Sequence, residues 1–252
     1  MMTMSIDRPT TAQIPQLKAL WQEAFGDSEA FVDLFFAHGF SFERCLVAGG
    51  EVVLGALYWF DCHYAGCRYA YVYALGVRES ARGRGVGSRL TQTLHEHLRS
   101  LGYDGCLLCP ADEGLFAYYS RLGYTTCAHV GTFTCQSGEP TILERLTPTE
   151  YAARREACLP ANSARFDATA YAYLGAYTHL YGGDGFVLAA YRDGDILVGS
   201  ELLGDVTKAP GIVAALGCQK GTFKTPGQTP HVMFYPLRPE APAPRYLGLV
   251  LD

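Results

Sequence analysis

The chain has 252 residues, of which 49% are hydrophobic and 18% are charged, and its formal net charge at pH 7 is −5. A chain of this length and apolar content can bury one large core or two smaller ones, which excludes an intrinsically disordered protein. The acidic balance argues against nucleic acid as a partner. No apolar run has the length of a membrane span and the first nine residues do not resemble a signal peptide, so we expect a cytoplasmic protein without a membrane partner.

Nine cysteines are present. An odd number in a long chain that shows no secretory segment predicts reduced thiols in the core, not a disulfide framework. Cys106 and Cys109 have CxxC spacing, but they lie in an apolar, strand-like segment and no second pair follows. We therefore predict a buried structural role for both thiols and no metal site.

The first half of the chain alternates helix-like and strand-like segments. Apolar residues at helical spacing predict a first helix that ends at Gly26 and a second helix that Asp27 or Ser28 caps. The glycine pair 49–50 predicts a hairpin turn. The remaining predicted elements of this half are strands at 45–48, 51–60 and 69–77, a helix at 86–101, a strand at 106–109, a helix at 113–122, and one or two strands within 124–135.

Residues 139–252 predict a second series of elements, with a hairpin turned by Asp193 and Gly194. Residues 50–55 (Gly-Glu-Val-Val-Leu-Gly) resemble residues 194–199 (Gly-Asp-Ile-Leu-Val-Gly), which suggests a duplication, although glycine–acid hairpins also recur by chance. We therefore divide the chain into domains 1–138 and 139–252. The predicted elements are strands at 141–146, 186–192, 196–202, 231–237 and 246–251, and helices at 149–158, 167–180 and 210–216.

The most informative segment is the glycine loop, residues 82–87, which reads Arg-Gly-Arg-Gly-Val-Gly between a predicted strand and a predicted helix. Glycines expose the backbone, and the free N–H groups and dipole at a helix N-terminus favour an anion such as phosphate. No Lys-Ser or Lys-Thr pair follows the last glycine, which excludes a nucleoside-triphosphate loop. Glycines at every second position do not fit the dinucleotide-binding pattern G-x-G-x-x-G either.

A second motif gives the loop a more specific meaning. Tyr118 and Tyr119 form an aromatic pair that is followed, after three residues, by Gly123 and Tyr124. Together the two segments resemble the GNAT superfamily of acyl-coenzyme A (acyl-CoA)-dependent N-acyltransferases over about residues 5–135. The loop signature of that family, Gln/Arg-x-x-Gly-x-Gly/Ala, is matched by Arg82, Gly85 and Gly87.

The resemblance implies an α/β fold with a mixed, mostly antiparallel central sheet flanked by helices. The whole chain also resembles tandem GNAT proteins, such as acetyltransferases of the enhanced-intracellular-survival type and mycothiol synthase, whose second copy is degenerate. Residues 139–252 contain no second glycine–arginine loop. We therefore expect one active domain and a smaller, GNAT-like second domain.

The resemblance also implies acetyl-CoA as co-substrate and a set of site residues. Tyr119 would protonate the departing thiolate, since a phenol carries its proton at neutral pH, while the alternative for Tyr119 is a core aromatic. Backbone groups of Leu75 and Val77 would pair with the pantetheine arm, and one of their N–H groups would polarise the thioester oxygen. The pyrophosphate would be held by the loop amides and by Arg82 or Arg84, that is, by residues among Arg82, Gly83, Arg84, Gly85, Val86, Gly87 and Ser88.

The general base stays open. Many family members place a glutamate on the strand before the loop, yet residues 69–77 contain no acid. The candidates are Asp61, His63, Glu79, the C-terminal carboxylate at Asp252, or water alone. We predict an N-acyltransferase, acting as a monomer or homodimer, that acetylates a primary amine of a small molecule or peptide by direct attack in a ternary complex. A module that binds acyl-CoA without turnover is the alternative.

Overall fold

The computed structural model describes residues 4–251, which divide into two compact units. Among these residues, the first unit comprises 4–125 and 233–243, and the second comprises 126–232 and 244–251. A single boundary after residue 138 does not reproduce this division, because 126–138 pack with the second unit and 233–243 with the first. No helix within residues 4–251 is long and apolar enough to cross a bilayer.

The first unit is built on a mixed sheet. Its strands follow the spatial order β1-β2-β3-β4-β5, and residues 233–236 pair with β5 at the end of this series. The β4–β5 pair is parallel, because α3 connects the two strands as a crossover, and the other pairs are antiparallel. The elements are β1 (Ser5–Asp7), α1 (Ile14–Phe25), α2 (Glu29–His38), β2 (Cys45–Gly49), β3 (Val53–Tyr64), β4 (Cys67–Val77), α3 (Val86–Ser100), β5 (Gly105–Leu108) and α4 (Glu113–Arg121).

Local signals set the ends of these helices, as predicted. Gly26 adopts a left-handed conformation with φ of 75° directly after α1, a conformation that glycine reaches without strain. The Ser28 hydroxyl accepts the Phe31 N–H at 3.2 Å and so caps α2. At α4, the Asp112 carboxylate accepts the Leu115 N–H at 2.8 Å. The mixed, mostly antiparallel fold class that the sequence predicted is confirmed.

A hydrophobic core lies between α3 and the sheet of the first unit. Leu90, Leu94 and Leu98 form the buried stripe of α3, and they pack with side chains that include Trp59 and Tyr124. His95 is one of two polar side chains that are buried in the same helix, the other being Thr91. The His95 Nε2 lies 2.8 Å from the Tyr124 hydroxyl, and the His95 ring stacks on Tyr235 with 3.9 Å between the centroids. Burial lowers the pKa of His95 to about 4.

We expect His95 to make the folded protein sensitive to acid. The unfolded chain protonates this histidine below about pH 6.5, whereas the folded state resists protonation until the pH nears 4, so the unfolded state binds more protons in this window. The His95 contribution should therefore lower the free energy of unfolding by about 2 kcal/mol between pH 7 and pH 5. Urea unfolding at both pH values should show that His95→Gln loses this part of the drop. The exposed variant His63→Gln should keep it, and an undiminished drop in His95→Gln would contradict the assignment.

The strands of the second unit follow the spatial order β6-β12-β11-β10-β9-β7. The β11–β12 pair is parallel across α7, and the other pairs recorded in this unit are antiparallel. The elements are β6 (Thr125–Gln136), β7 (Leu143–Arg145), α5 (Pro148–Cys158), β8 (Arg165–Phe166), α6 (Ala168–Tyr177), β9 (His179–Gly183), β10 (Phe186–Asp193), β11 (Ile196–Gly204), α7 (Ala209–Ala215), β12 (Lys220–Pro226) and β13 (Thr229–Pro236).

Three predictions for the second unit were wrong. The helix expected at 167–180 ends at Tyr177, and its last residues belong to β9, which pairs with β10. The strand β12 was missed, because residues 220–226 contain two lysines, two threonines and only one large apolar side chain, Phe223, and show little apolar alternation. Residues 246–251 form no strand beyond one bridge between Ser163 and Tyr246. This segment is apolar because it is buried, not because it pairs with a strand.

The two units share an order of elements, but residues 50–55 and 194–199, which were predicted to correspond, do not occupy equivalent positions in it. The series β1-α1-α2-β2-β3-β4-α3-β5 recurs as β7-α5-α6-β9-β10-β11-α7-β12, with β8 as an addition. Gly50 lies in the turn between β2 and β3, whereas Gly194 lies in the turn between β10 and β11, which corresponds to the β3–β4 turn. The match of 50–55 with 194–199 therefore joins non-equivalent hairpins, and the evidence for repetition is the topology.

A buried ion pair lies in the core of the second unit. Arg155 and Glu201 are both fully buried, and the guanidinium donates to the carboxylate from Nε at 2.6 Å and from Nη2 at 2.8 Å. The Tyr246 hydroxyl donates to the same carboxylate at 2.9 Å. Buried charges are tolerated only when they are paired and hydrogen-bonded in this way. The pair therefore explains how the 244–251 segment is held in its unit.

Candidate functional site

The strands β4 and β5 separate partway along β4. Their parallel pairing runs from Tyr69 opposite Gly105 to Val72 opposite Leu108, and it stops there. At the same point the register with β3 shifts, since Trp59 pairs with Val72 and Tyr58 with Ala74, so that Tyr73 is an extra residue in β4. Such a β-bulge bends a strand and ends regular pairing. Residues 73–77 of β4 therefore present an edge without a β5 partner, which we call the open edge.

The peptide groups of Leu75 and Val77 point toward the open edge. The Arg78 N–H donates to the Leu54 carbonyl at 2.9 Å, which directs the peptide groups of Arg78 toward β3. Peptide groups alternate in direction along a strand, so those of Leu75 and Val77 face the other way. In agreement with this direction, Arg82 Nε donates to the Val77 carbonyl at 3.1 Å. The open edge thus offers the N–H and C=O of Leu75 and the N–H of Val77.

The glycine loop lies directly after the open edge and opens α3. Gly83 and Gly85 have φ values of 73° and 76°, and a Cβ atom on either residue would meet no atom within 4 Å. The first backbone bond of α3 runs from the Arg89 N–H to the Gly85 carbonyl at 3.0 Å, and no side chain caps the helix. The amides from Gly85 to Ser88 therefore have no acceptor within the helix. Together with the helix dipole, these amides favour an anion.

The arginines around the glycine loop fall into two groups: one forms an ion pair within the protein, and the others are exposed beside the glycines. Arg78 forms an ion pair of 2.6 Å with Glu23, and the Glu79 N–H donates to the same carboxylate at 2.7 Å. The Glu79 N–H, followed by Arg78 and Arg82, holds the pKa of Glu23 below its usual value. Arg82 and Arg84 are exposed beside the glycines. The loop thus combines unbonded amides with two cationic side chains, which is a chemistry suited to phosphate.

Tyr119 lies in α4 and is buried, with 8% of its surface exposed. Its ring packs edge-on against Tyr124 at 5.6 Å and against Tyr118 at 5.0 Å. Burial raises the pKa of Tyr119, so the phenol keeps its proton at neutral pH. The residue therefore has the protonation state that a proton donor needs, together with the packing of a core aromatic.

Two polar residues beside the loop were missed by sequence reasoning. Tyr118, to which no polar role was assigned from the sequence, places its hydroxyl 3.1 Å from Ser88 Oγ. Thr91 is buried, and its hydroxyl donates to the Gly87 carbonyl at 3.0 Å. Adjacent tyrosines on a helix point about 100° apart, and the sequence does not say which of them faces α3. Thr91 lies one turn after Gly87, a spacing at which threonine can bond to the carbonyl four residues earlier, but many threonines share it.

The candidate general bases among the described residues lie at different distances from the open edge. Asp61 accepts hydrogen bonds from Arg68 Nη2 at 2.8 Å and from the Tyr103 hydroxyl, and it pairs in register with Ala70. His63 is exposed and lies still further from the open edge along β3. Glu79 is exposed in the turn that joins β4 to the glycine loop. Asp252 lies outside the described residues. Of the described candidates, Glu79 lies nearest along the chain to the open edge.

The two cysteines of the CxxC segment lie in β5 and directly after it. Cys106 is fully buried in β5, and burial raises the pKa of its thiol to about 12. Cys109 follows the last residue of β5 and is half-buried. The nine cysteines all lie within residues 4–251, and none of them forms a disulfide. Such a high pKa keeps the Cys106 thiol protonated and unreactive, which agrees with a structural role.

Comparison with known proteins shows what this part of the chain is similar to. The sequence model of the acetyltransferase (GNAT) domain matches residues 41–126. Similar solved structures are, among others, GCN5-related N-acetyltransferases from Anabaena variabilis and Kribbella flavida and Eis1 from Mycobacterium abscessus. A search of curated proteins found no match.

The structural similarity extends over most of the chain. The Anabaena protein is 16% identical with a TM-score of 0.69, covering 94% of this chain and 73% of that chain. The Kribbella protein is 18% identical with a TM-score of 0.66, covering 92% and 70%. Eis1 is 11% identical with a TM-score of 0.66, covering 94% and 75%. These likenesses establish the fold. The segment that matches the model of the acetyltransferase (GNAT) domain, residues 41–126, contains β4, the glycine loop and α4.

Proposed function

We propose that the protein is an acyl-CoA-dependent N-acyltransferase that transfers an acetyl group from acetyl-CoA to a primary amine of a small molecule or peptide. The observation that carries this proposal is the continuity of two features: the open edge of β4 leads, through the glycine loop, to a helix N-terminus that no side chain caps. An acyl-CoA molecule needs both, because it joins a pyrophosphate to an extended pantetheine arm that ends in a thioester.

The donor would be held by main-chain groups. Amides between Gly83 and Ser88 would donate to the pyrophosphate, and Arg82 or Arg84 would add a charge-assisted hydrogen bond. The pantetheine amides would pair with Leu75 and Val77 as an additional strand. The Val77 carbonyl already accepts from Arg82, so the Val77 N–H and the Leu75 groups are the partners that the open edge offers.

Acyl transfer would then proceed by direct attack in a ternary complex. The amine nitrogen forms a bond to the thioester carbonyl carbon, and the charge that develops on the carbonyl oxygen is stabilised by an N–H of the open edge. The carbon–sulfur bond breaks, and Tyr119 gives its proton to the departing thiolate. The amine loses its proton to Glu79, to the carboxylate of Asp252 or to water. Tyr119 regains a proton from solvent before the next turnover.

The organisation of the chain follows from this proposal. The first unit would form the catalytic domain, and the second unit a degenerate GNAT-like domain, since the loop before α7 contains no glycine between residues 205 and 208. The protein would act in the cytoplasm as a monomer or homodimer, without metal, nucleic acid or membrane.

A second candidate function is a module that binds acyl-CoA without turnover. The observation in its favour is that β4 carries no acidic residue and that Asp61 is committed to Arg68 and Tyr103. Release of free thiol from acetyl-CoA, measured against a panel of primary amines, separates the two functions. We expect amine-dependent release. Acetyl-CoA binding without release across the panel would instead establish the module, and absence of binding would refute both.

A further inference from the structure

The Tyr118 hydroxyl lies where the open edge and the glycine loop meet. It shares a hydrogen bond of 3.1 Å with Ser88 Oγ, and it lies 3.1 Å from the position that a Cβ atom on Gly87 would occupy. The Leu75 side chain approaches the same position to 3.4 Å. Tyr118 is half-buried, and its ring packs against the core under α3. A Cβ atom on residue 87 would be in a tight contact with the phenol, so glycine at this position leaves room for the Tyr118 hydroxyl beside the loop.

Ser88 is the third residue of α3, and its amide is one of those without an acceptor in the helix. A serine hydroxyl has one proton to donate and can also accept. A phosphate oxygen only accepts, so a phosphate at the loop draws the Ser88 proton toward itself. The Ser88 oxygen is then an acceptor for Tyr118, whose phenol is the more acidic of the two hydroxyls and the better donor. Hydrogen bonds in such a series strengthen one another.

We propose that Tyr118 is a positioning residue for the phosphate groups of acyl-CoA: its hydroxyl donates to Ser88 and thereby orients the Ser88 proton toward the anion. This inference rests on the proposed function of the same site. It gives the two adjacent tyrosines different tasks, with Tyr118 acting through Ser88 on the phosphate end of the donor and Tyr119 acting at the sulfur. It also makes Ser88 a side-chain ligand as well as an amide donor.

The inference is tested with two probes that differ in phosphate, coenzyme A and pantetheine, whose binding is measured by calorimetry on the full chain. Tyr118→Phe should bind coenzyme A about tenfold more weakly, the effect of one charge-assisted hydrogen bond. Its affinity for pantetheine should stay within twofold of wild type. Ser88→Ala should show the same selectivity, and the double variant should bind coenzyme A no more weakly than Ser88→Ala, since the tyrosine acts only through the serine.

Controls keep the outcome unambiguous. Ser120→Ala changes an exposed hydroxyl on α4 and should leave the affinity for both probes unchanged. With acetyl-CoA, Tyr118→Phe should raise KM and keep kcat at saturation. Equal loss of affinity for both probes, additive losses in the double variant, or a fall in kcat at unchanged KM would each overturn the inference, and the last would make Tyr118 the proton donor. If wild type binds no coenzyme A, the proposed function itself fails, whereas wild-type affinity in Tyr118→Phe refutes this inference alone.

Discussion

Replacing Gly85 with aspartate is expected to weaken the binding of acetyl-CoA at least a hundredfold. Gly85 precedes α3 and its missing Cβ faces the open space in which we place the pyrophosphate. A carboxylate there repels the phosphates and competes for the free amides of the helix, because it can accept their hydrogen bonds itself. Calorimetric titration with acetyl-CoA measures the loss. Retained tight binding in this variant would refute the assignment of the loop.

Two further variants separate charge from backbone strain. Gly85→Ala imposes the cost of a left-handed conformation, about 1–2 kcal/mol, without adding charge. We expect it to lower stability and to weaken binding much less than the aspartate does. Gly66→Asp is the matched control, because Gly66 has φ of 77° and open space around it, but lies in the β3–β4 turn, at the other end of β4 from the loop. It should bind acetyl-CoA as wild type does.

Replacing Tyr119 with phenylalanine is expected to lower kcat by about 10²–10⁴-fold, the usual contribution of a positioned general acid. The ring stays in the core, so the fold and the affinity for acetyl-CoA should change little. The reason for the loss is chemical, since the departing thiolate no longer receives a proton from a phenol that burial keeps protonated. Steady-state kinetics at saturating acetyl-CoA, with calorimetric Kd values, provide the measurement.

Tyr103→Phe is the control for loss of a buried phenol. Tyr103 is 3% exposed and bonds to Asp61 and Arg68, near the end of β4 that lies away from the open edge. It should lower stability and leave kcat within twofold of wild type. If Tyr119→Phe retains wild-type kcat while Tyr118→Phe loses it, the proton donor is Tyr118. If neither variant changes kcat, the thiolate takes its proton from another group or from water.

Much of the first unit could be predicted because its signals are local. Gly26, Ser28, Asp112 and the glycine loop act within one helical turn of their own positions, through φ or through a single hydrogen bond. The strands of the first unit were found for a related reason, since apolar residues that face a core repeat with the period of the strand. The second unit was predicted less well, as β12 lacks that alternation and 246–251 has an apolar sequence without a strand partner.

The division of the chain depended on contacts that no local pattern encodes. Residues 233–236 pair with β5, more than a hundred residues earlier, while 229–232 belong to the other compact unit. The stabilisation of a strand comes from the strand with which it pairs, and a short apolar segment is compatible with many such partners. A boundary drawn along the sequence alone therefore falls near 138, whereas the units interleave.

The sequence by itself determined the helix ends and the two motifs that indicate an acyl-CoA site, because these depend on residues close to one another in the chain. The fold class followed from the family resemblance that these motifs carry. Only the tertiary structure decided how the side chains of those motifs are used. In the folded chain Tyr119 is buried, and the Tyr118 hydroxyl forms a hydrogen bond with Ser88. Asp61 is paired with Arg68, and the peptide groups of Leu75 and Val77 face the edge that has no β5 partner. The physical reason is that the direction of a side chain and the partner of a strand are set by packing against elements distant in the chain. A local sequence pattern contains no information about these distant contacts.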